Sequence, residues 1–141
     1  MADAPDPFTL EGKVAIVTGA SSGFGEHISR LFVAKGGRVV AAARRADRLD
    51  ALAQSSDRIA AVACDVSDDA ACEALVAEAI DRFGTVDVLV NNAGLSDSQP
   101  AIDEPMEDFR YTVEVNLNAC FLLSKLVAQP MRDQESGSIV N

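Results

Sequence analysis

Seven residues, Gly19-Ala20-Ser21-Ser22-Gly23-Phe24-Gly25, place three glycines and two hydroxyls directly after an apolar, β-branched run, Val14-Ala15-Ile16-Val17. Small residues between a strand and a helix bring backbone N–H groups together at the helix start, and such groups bind phosphate. Gly19 permits a tight turn, Gly23 lets the backbone approach an anion without an intervening Cβ, and Gly25 lets the helix lie close to the strand. Ser21 and Ser22 can add hydroxyl contacts, and Phe24 sits among the residues that would meet the anion. The spacing is G-x-x-x-G-x-G, and no Lys-Ser/Thr pair supports a P-loop. In this setting the predicted ligand is a dinucleotide pyrophosphate.

A second pair of residues selects among dinucleotides. About twenty residues beyond such a turn, an acidic side chain at the end of the second strand would bind the ribose 2′-hydroxyl of NAD. Here Ala43 is followed by Arg44 and Arg45. Guanidinium groups attract a 2′-phosphate, with each charge-assisted contact contributing roughly 1.5 to 3 kcal/mol. The expectation is NADP(H) in preference to NAD(H). The alternative is that both arginines are solvated, begin the next helix and pair with Asp47 or Asp50.

These groups need a scaffold, and the apolar pattern supplies one. Val39 to Ala43, Ile59 to Cys64 and Val86 to Val90 repeat the continuous apolar character of the first run, as strands buried on both faces do. Between them the period turns helical. Phe24, Ile28, Leu31 and Phe32 fall on one face, with Gly36-Gly37 as a left-handed end. Leu49, Leu52 and Ala53 mark a weaker helix. Cys72, Leu75, Val76, Ala79, Ile80 and Phe83 form the cleanest stripe, capped by Ser67 with Asp68 and Asp69 and closed by Gly84. From Met106 to about Ala128 a longer helix is apolar around much of its circumference, which predicts burial on more than one side or a partner subunit, and Pro130 is expected to end it. Its start carries Asp103, Glu104, Glu107 and Asp108, favourably placed for the helix dipole. Gly137 to Asn141 reads as the opening of a fifth strand. Alternating strands and helices predict an α/β fold: a Rossmann-like, doubly wound parallel sheet, cut at the start of its fifth strand.

Composition narrows the partners. The 141 residues are 48% apolar and 24% charged, and 22 acidic against 12 basic residues give a formal charge of −10. That charge repels phosphate backbones and anionic lipid, so neither nucleic acid nor a membrane is expected as a partner. Cys64, Cys72 and Cys120 lie in apolar segments without metal-ligand spacing, which predicts reduced, buried thiols, no metal site and a cytoplasmic location. Met1 to Asp6 carries no basic residue and no apolar stretch follows it, unlike a signal or transit peptide. His27, the sole histidine, reads as a surface residue.

The motifs Thr18-Gly19-Ala20-Ser21-Ser22-Gly23-Phe24-Gly25, Cys64-Asp65-Val66, Asn91-Asn92-Ala93-Gly94, Val115-Asn116-Leu117 and Gly137-Ser138-Ile139-Val140-Asn141, in this order, resemble the short-chain dehydrogenases/reductases of the common short type. The resemblance starts at Leu10-Glu11-Gly12-Lys13 and covers nearly the whole chain. It implies that Asp65 bonds the adenine amino group while Val66 contacts the ring, that Asn92, Ala93 and Gly94 pass close to the cofactor ribose, and that Asn91 braces the sheet. It also implies that Asn116 is the catalytic asparagine, helping to hold a water and a lysine in a proton relay. From the residues alone, Asp65 lies past a buried strand where a ligand is expected, with a helix-cap neighbour as the alternative, Asn91 to Gly94 could form an ordinary turn, and Asn116 could be a core asparagine tying two elements together.

The family transfers hydride between nicotinamide and a small-molecule carbonyl or alcohol, using a tyrosine as acid/base, a lysine and a serine. None of those three is assigned here. Tyr111, the only tyrosine, has Val115 rather than lysine four residues on. Residues 1–9 are therefore expected to form a flexible lead and 10–141 an incomplete dinucleotide-binding domain, inactive alone and a homodimer or homotetramer when full length. The alternatives are a non-catalytic nucleotide-binding or interaction module, and an epimerase or dehydratase built on the same cofactor fold.

Overall fold

The computed structural model describes residues 7–96 and 99–141. Met1 to Asp6, most of the expected lead, lie outside the described residues. Five parallel strands, β1 (Val14–Thr18), β2 (Arg38–Ala43), β3 (Ile59–Ala63), β4 (Val88–Val90) and β5 (Ser138–Val140), form one sheet in the order β3-β2-β1-β4-β5. The helices are α1 (Gly23–Ala34), α2 (Ala46–Ala53), α3 (Asp69–Phe83), α4 (Met106–Val113) and α5 (Ala119–Asp133). A π-helical turn, Glu114–Asn118, joins the last two. The chain winds outward from β1 to β3, then returns to lay β4 on the other side of β1. The strand order thus reverses between β1 and β4, and in such sheets the ligand crevice opens beyond the carboxyl ends of the strands at that point.

Both faces of the sheet are covered at β1 and β2, which explains why these strands read as unbroken apolar runs. On one face Val17, Val39, Ala41 and Ile59 pack with Leu49 and Leu52 of α2 and with Ile28 and Phe32 of α1. On the other, Ile16, Val40, Ala42 and Leu89 meet Leu75 and Ala79 of α3 and Leu123 and Val127 of α5. Among the described residues no helix is long and apolar enough to cross a membrane.

Several expectations are corrected. The long helix is two helices separated by the π turn, and the second passes through Pro130 to Asp133. A proline inside a helix costs about 3 kcal/mol, but here it falls in the last turn and Met131 beyond it is buried against the core. The long apolar surface is not enclosed on several sides: α4 buries none of its residues, and Leu117 and Phe121 are 63% and 71% exposed. On α1, Ile28 and Phe32 do face inward, whereas Phe24 (82% exposed) and Leu31 face water. The cap of α3 is Asp68, whose carboxylate accepts from the N–H groups of Ala70 and Ala71, and not Ser67. Val86 is buried but precedes β4, and Cys120 is only half-buried while Cys64 and Cys72 are buried.

Candidate cofactor site

The glycine-rich turn after β1 is held by interlocking contacts. Thr18, buried at the end of β1, accepts through Oγ1 from the N–H groups of Asn92 (3.0 Å) and Ala93 (2.9 Å) and donates to the Val90 carbonyl (3.3 Å). The Asn92 amide reaches back to donate to the carbonyls of Thr18 (2.9 Å) and Gly19 (3.3 Å). A Cβ on Gly19 would lie 2.8 Å from Asn92 Nδ2 and 2.9 Å from Ala93 Cα, and one on Gly25 would run into the Gly19 carbonyl and Asn92 Nδ2. Glycine at these two positions lets β1, β4 and α1 meet. Gly23 differs: no atom lies within 4 Å of its missing side chain, and its φ of +58° is the reason for glycine there. Ser22 begins α1 without a side-chain capping bond, so the first-turn N–H groups are left for another acceptor.

An open cleft of about 560 Å³ lies against this turn, lined by Gly19, Ser21, Ser22, Ala43, Arg44, Arg45, Asn92, Ala93 and Gly94. A narrower recess continues from it past Arg44 to Cys64, Asp65, Val66, Leu95, Tyr111 and Val115. The two share Gly19, Ala43, Arg44 and Gly94, which makes them one groove across the strand ends. Of the residues expected at the site, Gly19, Ser21, Ser22, Arg44, Arg45, Asp65, Val66, Asn92, Ala93 and Gly94 come together along it. Gly23, Phe24 and Gly25, which follow the lining residue Ser22 in the first turn of α1, and Asn116 are not among its lining residues.

Electrostatics divide the groove into two ends. Arg45 donates from Nε (3.2 Å) and Nη2 (2.9 Å) to Ser21 Oγ, and from Nη2 to Ser22 Oγ (2.8 Å). A hydroxyl that accepts still has its own proton to donate, so both serines remain able to bond an anion. Arg44 Nη1 donates to the Tyr111 hydroxyl at 3.4 Å. Both guanidiniums thus have neutral partners, and among the described residues neither pairs with Asp47 or Asp50. Asp65 Oδ1 accepts from the N–H (3.0 Å) and hydroxyl (2.8 Å) of Ser67. The Ser67 bonds, chiefly the backbone one, and the nearby Arg44 charge hold this carboxyl below its usual range.

Asn116 lies in the π turn, where its amide closes a two-way bond with Leu95: Oδ1 accepts from the Leu95 N–H (2.9 Å) and Nδ2 donates to the Leu95 carbonyl (2.7 Å). It ties the helix to the loop that walls the recess. Asn91 donates to Asn141 Oδ1 (2.7 Å), Ser124 Oγ (3.3 Å) and the Cys120 carbonyl (3.5 Å), linking the end of β4 to α5 and the end of β5. Its own Oδ1 is buried without a hydrogen-bond partner among the described residues. Cys64 and Cys72 have thiols pushed up by burial, Cys72 to about 12. They are protonated and inert near neutrality. Among the described residues no group of three or more His, Cys, Asp or Glu is placed to hold a metal ion.

Two contributors lacked a role at the level of sequence. Thr18 is a threonine at a strand end, and only the fold shows that three bonds converge on its hydroxyl. Tyr111 meets Arg44 across 67 residues of chain, a pairing that no local pattern encodes.

The sheet order and its flanking helices place the chain in the doubly wound α/β class. The short chain dehydrogenase family model matches residues 13–141, and the chain belongs to that family, whose oxidoreductases use nicotinamide cofactors. It is 39% identical to the D-threitol dehydrogenase of Mycolicibacterium smegmatis over 95% of this chain and 53% of that protein. To the 7alpha-hydroxysteroid dehydrogenase of Escherichia coli it is 39% identical over 96% of this chain and 54% of that one. A 3-oxoacyl-acyl-carrier-protein reductase of Thermotoga maritima is 33% identical, over 94% and 55%. The crystal structure of a short-chain dehydrogenase from Streptomyces avermitilis superposes with a TM-score of 0.88 at 38% identity, covering 92% of this chain and 48% of that one. The chain spans about half the length of the relatives it matches.

Proposed function

We propose that residues 10–141 form the cofactor-binding unit of an NADP(H)-preferring oxidoreductase that moves a hydride between nicotinamide and a small alcohol or carbonyl compound. The observation that carries this reading is the groove itself: two available serine hydroxyls, leading into a helix start without a side-chain cap, and two guanidiniums with neutral hydrogen-bond partners lie along one crevice. The pyrophosphate would rest on the first-turn amides of α1 with Ser21 and Ser22 beside it, and the 2′-phosphate between Arg44 and Arg45. Asp65 would accept from the adenine amino group through Oδ2, its Oδ1 being committed to Ser67. Val66 would lie against the base, and Asn92, Ala93 and Gly94 against the ribose. The nicotinamide, when bound, supplies or accepts the hydride.

Asn116 is the one catalytic residue we assign to this chain. Its side chain bonds Leu95 at both ends and so fixes the π turn against the loop that lines the recess, where the family role would be to help hold a water and a lysine; such turns concentrate at functional sites. The serine, tyrosine and lysine of the reaction have no candidates here, so the 141-residue chain should bind cofactor without turning over substrate. The relatives' names, a threitol, a hydroxysteroid and a 3-oxoacyl carrier, all fit alcohol or carbonyl chemistry. The exposed apolar surface around Leu117 and Phe121 supports a homodimer or homotetramer, and we place the protein in the cytoplasm.

Fluorescence titration tests the reading. NADPH should bind more tightly than NADH, and Arg44→Ala should weaken NADPH about tenfold or more while leaving NADH nearly unchanged. Equal affinities for the two cofactors in the unmodified protein would remove the NADP(H) assignment. Carbonyl reduction by purified chain of verified mass would overturn the expectation of inactivity.

A further inference from the structure

The Arg44–Tyr111 contact offers more than a place for one hydrogen bond. Arg44 immediately follows β2 and its side chain is exposed, so nothing in its own segment restricts the guanidinium. Asp65 is close enough for the Arg44 charge to lower its carboxyl pKa, yet the two form no ion pair among the described residues. A long, exposed guanidinium beside a carboxylate ordinarily folds onto it. Tyr111, which lines the same recess from α4, takes a bond from Nη1 instead. A phenol accepts without carrying charge, so the guanidinium is held in place while its positive charge and remaining N–H groups stay available.

On the reading of this groove as an NADP(H) site, we propose that Tyr111 is a positioning residue for cofactor specificity. Its hydroxyl holds Arg44 at the rim of the recess, where the guanidinium meets the 2′-phosphate of the adenosine instead of collapsing onto Asp65. One contact then protects two functions, keeping Arg44 for the phosphate and Asp65 for the base. The Tyr111 ring, lining the recess with Val66 and Val115, serves separately as an apolar wall for any adenosine.

The test separates hydroxyl from ring by titrating the unmodified chain, Tyr111→Phe, Tyr111→Ala, Arg44→Ala and the Tyr111→Phe/Arg44→Ala double variant. The probes are NADPH, NADH, 2′,5′-ADP and 5′-AMP, and thermal melts verify folding. Tyr111→Phe should weaken NADPH and 2′,5′-ADP by about 3- to 10-fold and leave NADH and 5′-AMP unchanged. Tyr111→Ala should weaken all four. In the double variant the hydroxyl's effect on the NADPH-to-NADH ratio should vanish, because it acts through Arg44. If Arg44→Ala collapses that ratio but Tyr111→Phe does not move it, the proposal for Tyr111 is wrong and the NADP(H) reading stands. If the unmodified chain binds NADPH and NADH equally, both fall.

Discussion

Every residue of β1 is buried and β2 exposes only Arg38, whereas α4 buries none of its residues and all three of β5 are exposed. The β1–α1–β2 region has closed its core and cross-linked its turn, with Thr18 and Asn92 satisfying the backbone groups where β1 and β4 end. The α4–α5–β5 region pairs β5 on one side only and leaves Leu117 and Phe121 in water. The contrast separates a preformed edge at the candidate groove, whose geometry is set by internal contacts, from a surface that leaves large apolar groups exposed.

If that contrast is right, substitutions of similar size should have very different effects in the two regions. The largest effect is expected at Gly25. Its Ala variant would drive a methyl into the Gly19 carbonyl and the Asn92 amide, costing about 2 to 3 kcal/mol in urea unfolding and abolishing NADPH binding. Unchanged stability would mean that the turn is not set by close packing. Thr18→Val comes next. It strands two N–H groups at the junction of β1 and β4 and should cost about 2 kcal/mol. Serine at both Leu117 and Phe121 should change the stability of the monomer by less than about 0.5 kcal/mol while reducing self-association seen by light scattering. A loss comparable to that of Thr18→Val would show that this surface is already part of the core.

The smallest effect concerns acid. The Asp65 carboxyl is held below its usual range in the folded protein, so its contribution is present above the ordinary aspartate range and is lost as pH falls through the lowered value. Asp65→Asn should therefore lower stability slightly at neutral pH and flatten the acid limb of the profile below about pH 4, where the two proteins converge. Identical acid limbs would remove the Ser67 and Arg44 contacts from the account.

The groove edge was also the legible part of the sequence. Val14 to Val17, Val39 to Ala43 and the glycine turn carry local signals, because a strand buried on both faces must be continuously apolar and a phosphate turn must be small. The other region resisted for physical reasons. A π turn changes hydrogen-bond register without changing composition, so Glu114–Asn118 looked like ordinary helix. Pro130 lies close enough to the helix end for tertiary packing of Met131 to override it. Phe24 and Leu31 match helical periodicity, yet α1 turns them to water while Ile28, Phe32 and Val33 pack against the sheet. Within the groove, residue types were readable and pairings were not: Arg45 with Ser21 and Ser22, and Arg44 with Tyr111, depend on which strands become neighbours.

The central claim is that first-turn amides of α1 receive the phosphates. Amide hydrogen exchange across residues 21–25, followed by NMR with and without NADPH, addresses it directly. The account predicts that exchange at Gly23, Phe24 and Gly25 slows markedly when NADPH binds. Saturable NADPH binding that leaves these amides exchanging at their free rates would contradict it.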